Sequence, residues 1–171
     1  SRALSDLAGY EEAIKLFEIV VTREKHELLC QYACLCIDKA VLHEYLEDYT
    51  GADALYDRAL NALDESKLEN HVRAVATVTA LTNKATLLWR LGNGEQASVL
   101  FDCLIQTTPN FSDVLELPRI ADIIVQGHIG MANIAREADK PLEAIHNCER
   151  ALDKIGFVPD EVKALRRIHY L

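Results

Sequence analysis

Glycine and proline are scarce in this chain, seven and four in 171 residues, and that scarcity excludes a turn-dense all-β architecture. Long apolar runs are missing as well. The longest candidate, Ile120 to Ile134, is broken by Asp122, Gln126 and His128 and falls short of the roughly 20 residues that cross a bilayer. The amino terminus lacks the basic, apolar and small-residue succession of a secretory signal. A membrane is therefore not among the expected partners. Basic charge is also in deficit: 18 Lys and Arg stand against 27 Asp and Glu, for a formal net charge of −9 and a pI near 5.1. Nucleic-acid binding draws on clustered Lys and Arg to neutralise phosphates, so this balance argues against nucleic acid. The five cysteines are odd in number and irregular in spacing, which points to a reducing compartment, the cytoplasm, over a disulfide framework.

Catalytic signatures are absent too. The sequence has no G-x-x-x-x-G-K-[ST], no G-x-G-x-x-G after a strand and no G-x-S-x-G, so no enzyme activity and no cofactor are expected. Cys30, Cys34 and Cys36 invite a zinc reading. On a helix, however, Cys36 lies about 200° from Cys34, and His26 is the nearby fourth candidate. Burial as small apolar side chains suits them better, and no metal is expected. The six histidines are scattered without an H-E-x-x-H pair. Gly127 and Gly130 fall inside a helical pattern and read as close-packing positions.

What the chain has in quantity is Ala, Leu and Glu, all strong helix formers. Half of its residues are hydrophobic and 26% charged, enough for a real core. Apolar spacing predicts helices over Tyr10–Val21, Lys25–Glu47, Ala52–Leu63, Leu68–Leu91 and Glu95–Thr107. Pro109-Asn110 ends the fifth, Phe111–Leu117 reads as a loop or short turn, and Pro118 suits the first turn of the next, which runs to about Ala138. Pro141 opens another, reaching Ile155 with Gly156 as its cap. Pro159 starts a last one, and both ends of the chain read as cuts in a longer protein. No stretch alternates as a strand does, so the fold class is all-α.

Four segments superimpose without gaps: Ala13–Val21, Ala52–Leu60, Ala97–Ile105 and Ala144–Leu152. Each opens on alanine, carries Phe17, Tyr56, Phe101 or Cys148 four residues on, and continues apolar or small three and four residues later. A small side chain lets two helices cross closely, and the larger one fills the groove beside it. The alanines lie 39, 45 and 47 residues apart.

This pattern resembles the tetratricopeptide repeat. Ala97, Phe101, Leu104 and Pro109 match that family's second-helix offsets, and Leu81, Ala85, Leu88 and Gly92 fit its first helix. The periods exceed the family's 34 residues by 5, 11 and 13, as in elongated units like those of kinesin light chains and of sensor arms in large bacterial regulators. The resemblance implies an α-solenoid of antiparallel hairpins forming one domain over 1–171, with hairpins near 1–22 (partial), 25–65, 68–108 and 118–156 and the start of another at 159–171. It implies a protein or peptide partner held on a concave face. Residue by residue, that face takes Thr79, Thr82, Asn83, Thr86 and Arg90 from one helix and Gln126, Asn133 and Arg136 from the next. Asn83 occupies a position where the family often bonds peptide backbone, which a carboxamide does as donor and acceptor together. The Lys/Arg pair that clamps a C-terminal carboxylate in chaperone-binding members is missing. The alternative function is a ligand-sensing regulatory arm of a larger signalling protein.

Two features stay open between plain and functional readings. Eight acids and two bases lie between Glu44 and Glu69, as a solvated helix surface or as a docking edge for a basic partner. Trp89, the single tryptophan, either packs into the neighbouring hairpin or anchors a partner.

Overall fold

Helix propensity and apolar period agree along this chain, and the computed structural model, which describes residues 2–21, 26–66 and 68–156, is helical throughout. The elements are α1 (Arg2–Val21), α2 (His26–Tyr45), α3 (Tyr49–Glu65), α4 (His71–Arg90), α5 (Gly94–Thr107), a 3-10 turn (Thr108–Phe111), α6 (Leu117–Glu137) and α7 (Pro141–Ile155). No strand occurs among the described residues. Helix α1 starts eight residues before the Tyr10 expected from the apolar pattern. Gly9 costs a helix only about 1 kcal/mol, and Ala3, Leu4, Leu7 and Ala8 around it favour helix. The side chains of Val20 and Val21, and the helix expected after Pro159, lie outside the described residues.

Three of the joints are built alike. In each, the second residue after the helix turns left-handed: Glu47 at φ 60°, Gly92 at φ 80° and Asp139 at φ 55°. Each such residue donates its N–H three residues back, to Glu44, Trp89 and Arg136, at 3.0, 2.9 and 3.2 Å. The residue after it donates five back: Asp48 to His43, Asn93 to Leu88 and Lys140 to Ala135, all at 2.9 Å. This pair of bonds is the Schellman helix stop, which satisfies otherwise orphaned carbonyls. The left-handed residues lie 45 and 47 residues apart. In every case the small residue of the sequence repeat, Ala52, Ala97 or Ala144, follows five positions later. The first repeat lacks such a stop, since α1 runs unbroken through Ala8 and Ala13.

The chain divides into two compact units, Ser1–Leu87 and Leu88–Leu171, the division falling inside α4. In the first, Ile14 of α1 joins Cys30, Ala33, Cys36, Ile37 and Ala40 of α2, Ala52, Leu55, Tyr56, Ala59, Ala62 and Leu63 of α3, and Ala76, Ala80 and Leu87 of α4. Alanines fill the crossings and Tyr56 is fully buried among them. Cys30 and Cys36 are core side chains here. The Cys30 thiol meets the Ser66 hydroxyl at 3.2 Å, and that hydroxyl donates to His26 O at 2.9 Å, tying the end of α3 to the start of α2. Arg58 of α3 donates from Nε to Tyr32 Oη at 2.9 Å and pairs with Glu18, joining α3 to α2 and α1.

In the second unit, α5 and α6 approach through glycine. A Cβ on Gly127 would stand 2.7 Å from Ile105, and one on Gly130 would stand 2.5 Å from the Phe101 ring. Phe101, 3% exposed, therefore lies flat against α6, and its burial contributes roughly 2–3 kcal/mol. Against the other side of α6, Ala151 of α7 packs on Ala121, Val125 and Ile129. The loop expected over Phe111–Leu117 is more ordered than its composition implied: Pro109 and Asn110 sit within the 3-10 turn, and Phe111 and Leu115 are buried.

Helix α7 departs from the repeat alignment. Its buried positions are Asn147 and Ala151, whereas Cys148 and Leu152 are exposed. Tyr56 and Phe101 hold the place of Cys148 in their own segments and reach the following helix, at Asn83 of α4 and Gly130 of α6. The residues that follow α7 lie outside the described set.

Three substitutions check this packing. Ala97→Leu should cost roughly 1–3 kcal/mol by overpacking a fully buried site, and half-buried Ala144→Leu should cost less. Nothing lies within 4 Å of a Cβ on Gly92, so Gly92→Ala should lose about 1–2 kcal/mol through its left-handed backbone alone. Equal urea midpoints for all three variants and the parent would refute the register.

Candidate functional site

The residues that the repeat alignment assigned to partner binding form two surface strips. On α4, Thr79, Thr82, Asn83, Thr86 and Arg90 fall within an arc of roughly 100°. The first four are half-buried and Arg90 is exposed. On α6, Gln126 and Asn133 are half-buried and Arg136 is exposed. Thr79 to Thr86 belong to the first unit, and Arg90 with the α6 strip to the second.

Several of these side chains already have partners inside the fold. Thr82 donates to Val78 O at 2.7 Å and Thr86 to Thr82 O at 2.8 Å, the usual back-bonding of a helical hydroxyl. Gln126 donates to Asp122 one turn earlier, at 3.3 Å. Asn83 donates to the Tyr56 hydroxyl, which donates in turn to Glu44 Oε1 at 2.7 Å. Burial, reinforced by the Glu44 carboxylate, holds the Tyr56 phenol far above its ordinary range. A carboxamide in such a chain satisfies a buried hydroxyl, a role that the α4 pattern alone did not separate from peptide binding.

The acidic segment likewise does internal structural duty. Asp48 caps α3, its Oδ1 accepting from Gly51 N at 3.0 Å and its Oδ2 meeting His43 Nδ1 at 2.7 Å. Those two bonds, that from Gly51 foremost, hold its carboxyl below the usual range. Asp53 and Asp57, one turn apart on α3, flank the buried ammonium of Lys84 from α4, Asp53 at 3.1 Å. Glu47, Asp64, Glu65 and Glu69 remain as exposed acids.

Each unit carries an open groove. In the first, Tyr10 and Ala13 of α1 face Leu35, Asp38 and Leu42 of α2 across about 660 Å³. Burial pushes the Asp38 carboxyl up. In the second, about 630 Å³ opens beside Trp89, Val99, Met131 and Ile134, bordered by Glu95, Glu137, Lys140 and Glu143. The Trp89 indole N–H donates to Glu137 Oε2 at 2.8 Å, so Trp89 both packs against α6 and lines an open space. Sequence patterning singles out Trp89 as a candidate anchor and reads Met131 and Ile134 as inward-facing, whereas both are half-buried at this groove. An exposed valine such as Val99 leaves no periodic trace.

A buried histidine–asparagine pair stands apart from the grooves. His128 of α6 and Asn147 of α7 meet at 3.1 Å, and both are buried. Asn147 spends its amide N–H on Glu143 O at 3.1 Å, so its Oδ1 faces the imidazole and His128 carries its proton on Nδ1. Burial, the largest influence, draws the His128 pKa below 6.5, so the fold accepts the neutral ring. As pH falls below about 6.5 the unfolded chain takes up this proton first, and stability should decline through the lower folded-state pKa. Urea unfolding between pH 7.5 and 5 should show this, and His128→Gln should flatten the profile. An identical slope in both proteins would count against it.

Compared with protein-family models and with curated proteins, the chain matches none.

Proposed function

We propose that this chain is an array of tetratricopeptide-like hairpins, part of an α-solenoid, that holds a protein or peptide partner. The observation that carries the reading is the recurring joint: the same helix stop after α2, α4 and α6, spaced 45 and 47 residues, with the repeat alanine five positions beyond each. Repetition of one joint is the physical signature of stacked supersecondary units, whose surfaces serve as extended binding faces. Tyr56 and Phe101 support it further, since the same repeat position reaches the next helix in both units.

Within the assigned strips, Thr82, Asn83, Thr86 and Gln126 are engaged in the fold, while Arg90 and Arg136 are exposed. The two arginines give a mildly basic surface suited to polar or acidic side chains flanking a bound segment. Five free thiols suit a reducing compartment such as the cytoplasm.

Selection from a random peptide library displayed on phage tests this reading. Enriched peptides should lose affinity about tenfold, or 1.4 kcal/mol, for the Arg90→Glu, Arg136→Glu double variant, with its melting temperature nearly unchanged. If no peptide enriches while a small molecule raises the melting temperature, the scaffold reading fails and the sensor arm takes its place.

A further inference from the structure

The groove of the second unit lies away from the polar strip. On α6, Met131, Ile134, Ala135 and Ala138 line it, and at about 100° per residue their centre is roughly 160° from that of Gln126, Asn133 and Arg136. These side chains give it an apolar wall with the Trp89 ring at one side, and Ser98 and the charged rim make up a comparable polar share. Val99, on α5, is 65% exposed. An apolar side chain that far into water is common singly, but this one stands with the Trp89 indole, Met131 and Ile134 in a single groove, a grouping that a partner can cover.

The rim settles the charge of the occupant. Among the described residues, Glu95, Glu137 and Glu143 border the groove against one cation, Lys140. Lys140 is itself drawn to Glu143 at 3.5 Å across exposed side chains, a pair worth little. Helix dipoles do not alter the balance. The C-termini of α4 and α6 add partial negative charge and the N-termini of α5 and α7 add partial positive charge, two against two, so the side chains decide. A trough of about 630 Å³ has room for several side chains from one turn-spaced face, the mode in which an amphipathic helix enters a groove.

We infer that this groove docks a basic amphipathic helix, its apolar face on Trp89, Val99, Met131 and Ile134 and its Lys or Arg side chains on Glu95, Glu137 and Glu143. The inference rests on the reading of the chain as a partner-holding scaffold and adds a second face to it.

Trp89, the single tryptophan, is a built-in reporter. A peptide of repeated Leu-Lys-Lys-Leu units should quench or blue-shift its emission saturably, while the Leu-Glu-Glu-Leu counterpart should leave it unchanged. Rising salt should weaken binding, since the rim charges are exposed. Val99→Asp should lower affinity at least about tenfold, although it adds negative charge. General attraction of a cationic peptide to an acidic protein would be unchanged or strengthened by that substitution, and such a result would overturn the site. Glu137→Gln keeps an acceptor for the indole and should weaken binding up to about fivefold, the scale of one exposed charge. Circular dichroism establishes that both variants are folded. Should Val99→Asp unfold, Glu95→Gln with Glu137→Gln takes its place, and undiminished binding there refutes the proposal. Phage-selected peptides that depend on Arg90 and Arg136, together with undiminished binding of the Leu-Lys-Lys-Leu peptide by Val99→Asp, would leave the scaffold standing and remove this groove from it.

Discussion

The left-handed stop is the constraint on which the rest of this structure depends. A helix that ends in this way reverses the chain within two residues, so the next helix begins at a fixed offset from the turn. Because α3, α5 and α7 each start two residues after Glu47, Gly92 and Asp139, the fifth residue beyond the turn always falls in the first helical turn, near the crossing. A large side chain there would push the helices apart, which is why alanine recurs. Four residues later the same face has advanced by a little more than one turn, and Tyr56 of α3 reaches α4 as Phe101 of α5 reaches α6. Joint, alanine and aromatic are consequences of one geometry. Only at Gly92 does the residue suit the left-handed backbone freely. Asp139 tolerates it better than Glu47, since aspartate visits that region more often.

The first unit uses polar groups where the second uses glycine. Tyr56 brings a hydroxyl into the core, and Asn83 and Glu44 complete its hydrogen bonds. Phe101, at the same repeat position, brings none and instead needs the bare backbone of Gly130 beneath its ring. Either solution seats a large ring against the next helix. The polar version makes stricter demands, because a buried hydroxyl without partners costs more than the net gain of bonding it. Lys84 obeys the same logic between Asp53 and Asp57. Ion pairs of this kind are weak grounds for extra stability, but losing the carboxylates would leave the buried Lys84 ammonium poorly solvated.

Much of the fold was legible in the sequence because helix formation here is local. Glycine at 92, proline at 109, 118 and 141, and unbroken apolar periods between them marked most of the helix boundaries. The small-to-large alternation exposed the period of 45 and 47. Where legibility failed, the cause was tertiary. The start of α1 could not be inferred because Leu4 and Leu7 fit several registers. Asn83 carried an ambiguous signal: a half-buried carboxamide on a helix looks the same whether its partner is a visiting backbone or the Tyr56 hydroxyl 27 positions earlier. The acids between Glu44 and Glu69 read as one surface, yet Glu44, Asp48, Asp53 and Asp57 are held by Tyr56, His43 and Lys84, a sorting set by which α3 positions face α2 and α4. The groove beside Trp89 was illegible for a different reason. It is made by residues from four helices, and none of them breaks a local rule.

Helix α6 shows how one element serves several surfaces. Gly127 and Gly130 seat α5, Ala121, Val125 and Ile129 seat α7, and His128 reaches Asn147. The remaining arcs are the strip with Asn133 and Arg136 and the apolar edge with Met131 and Ala138. An α-helix has room for this because residues three and four apart share a face while neighbours diverge by about 100°. Packing on two sides fixes its rotation, and that rotation leaves both arcs in the same orientation in every molecule. Preorganisation of this kind lowers the ordering cost of binding, because the protein side of either surface is fixed before a partner arrives. A helix packed on one side alone would be free to roll, and neither a basic strip nor an acidic-rimmed trough would keep its outline.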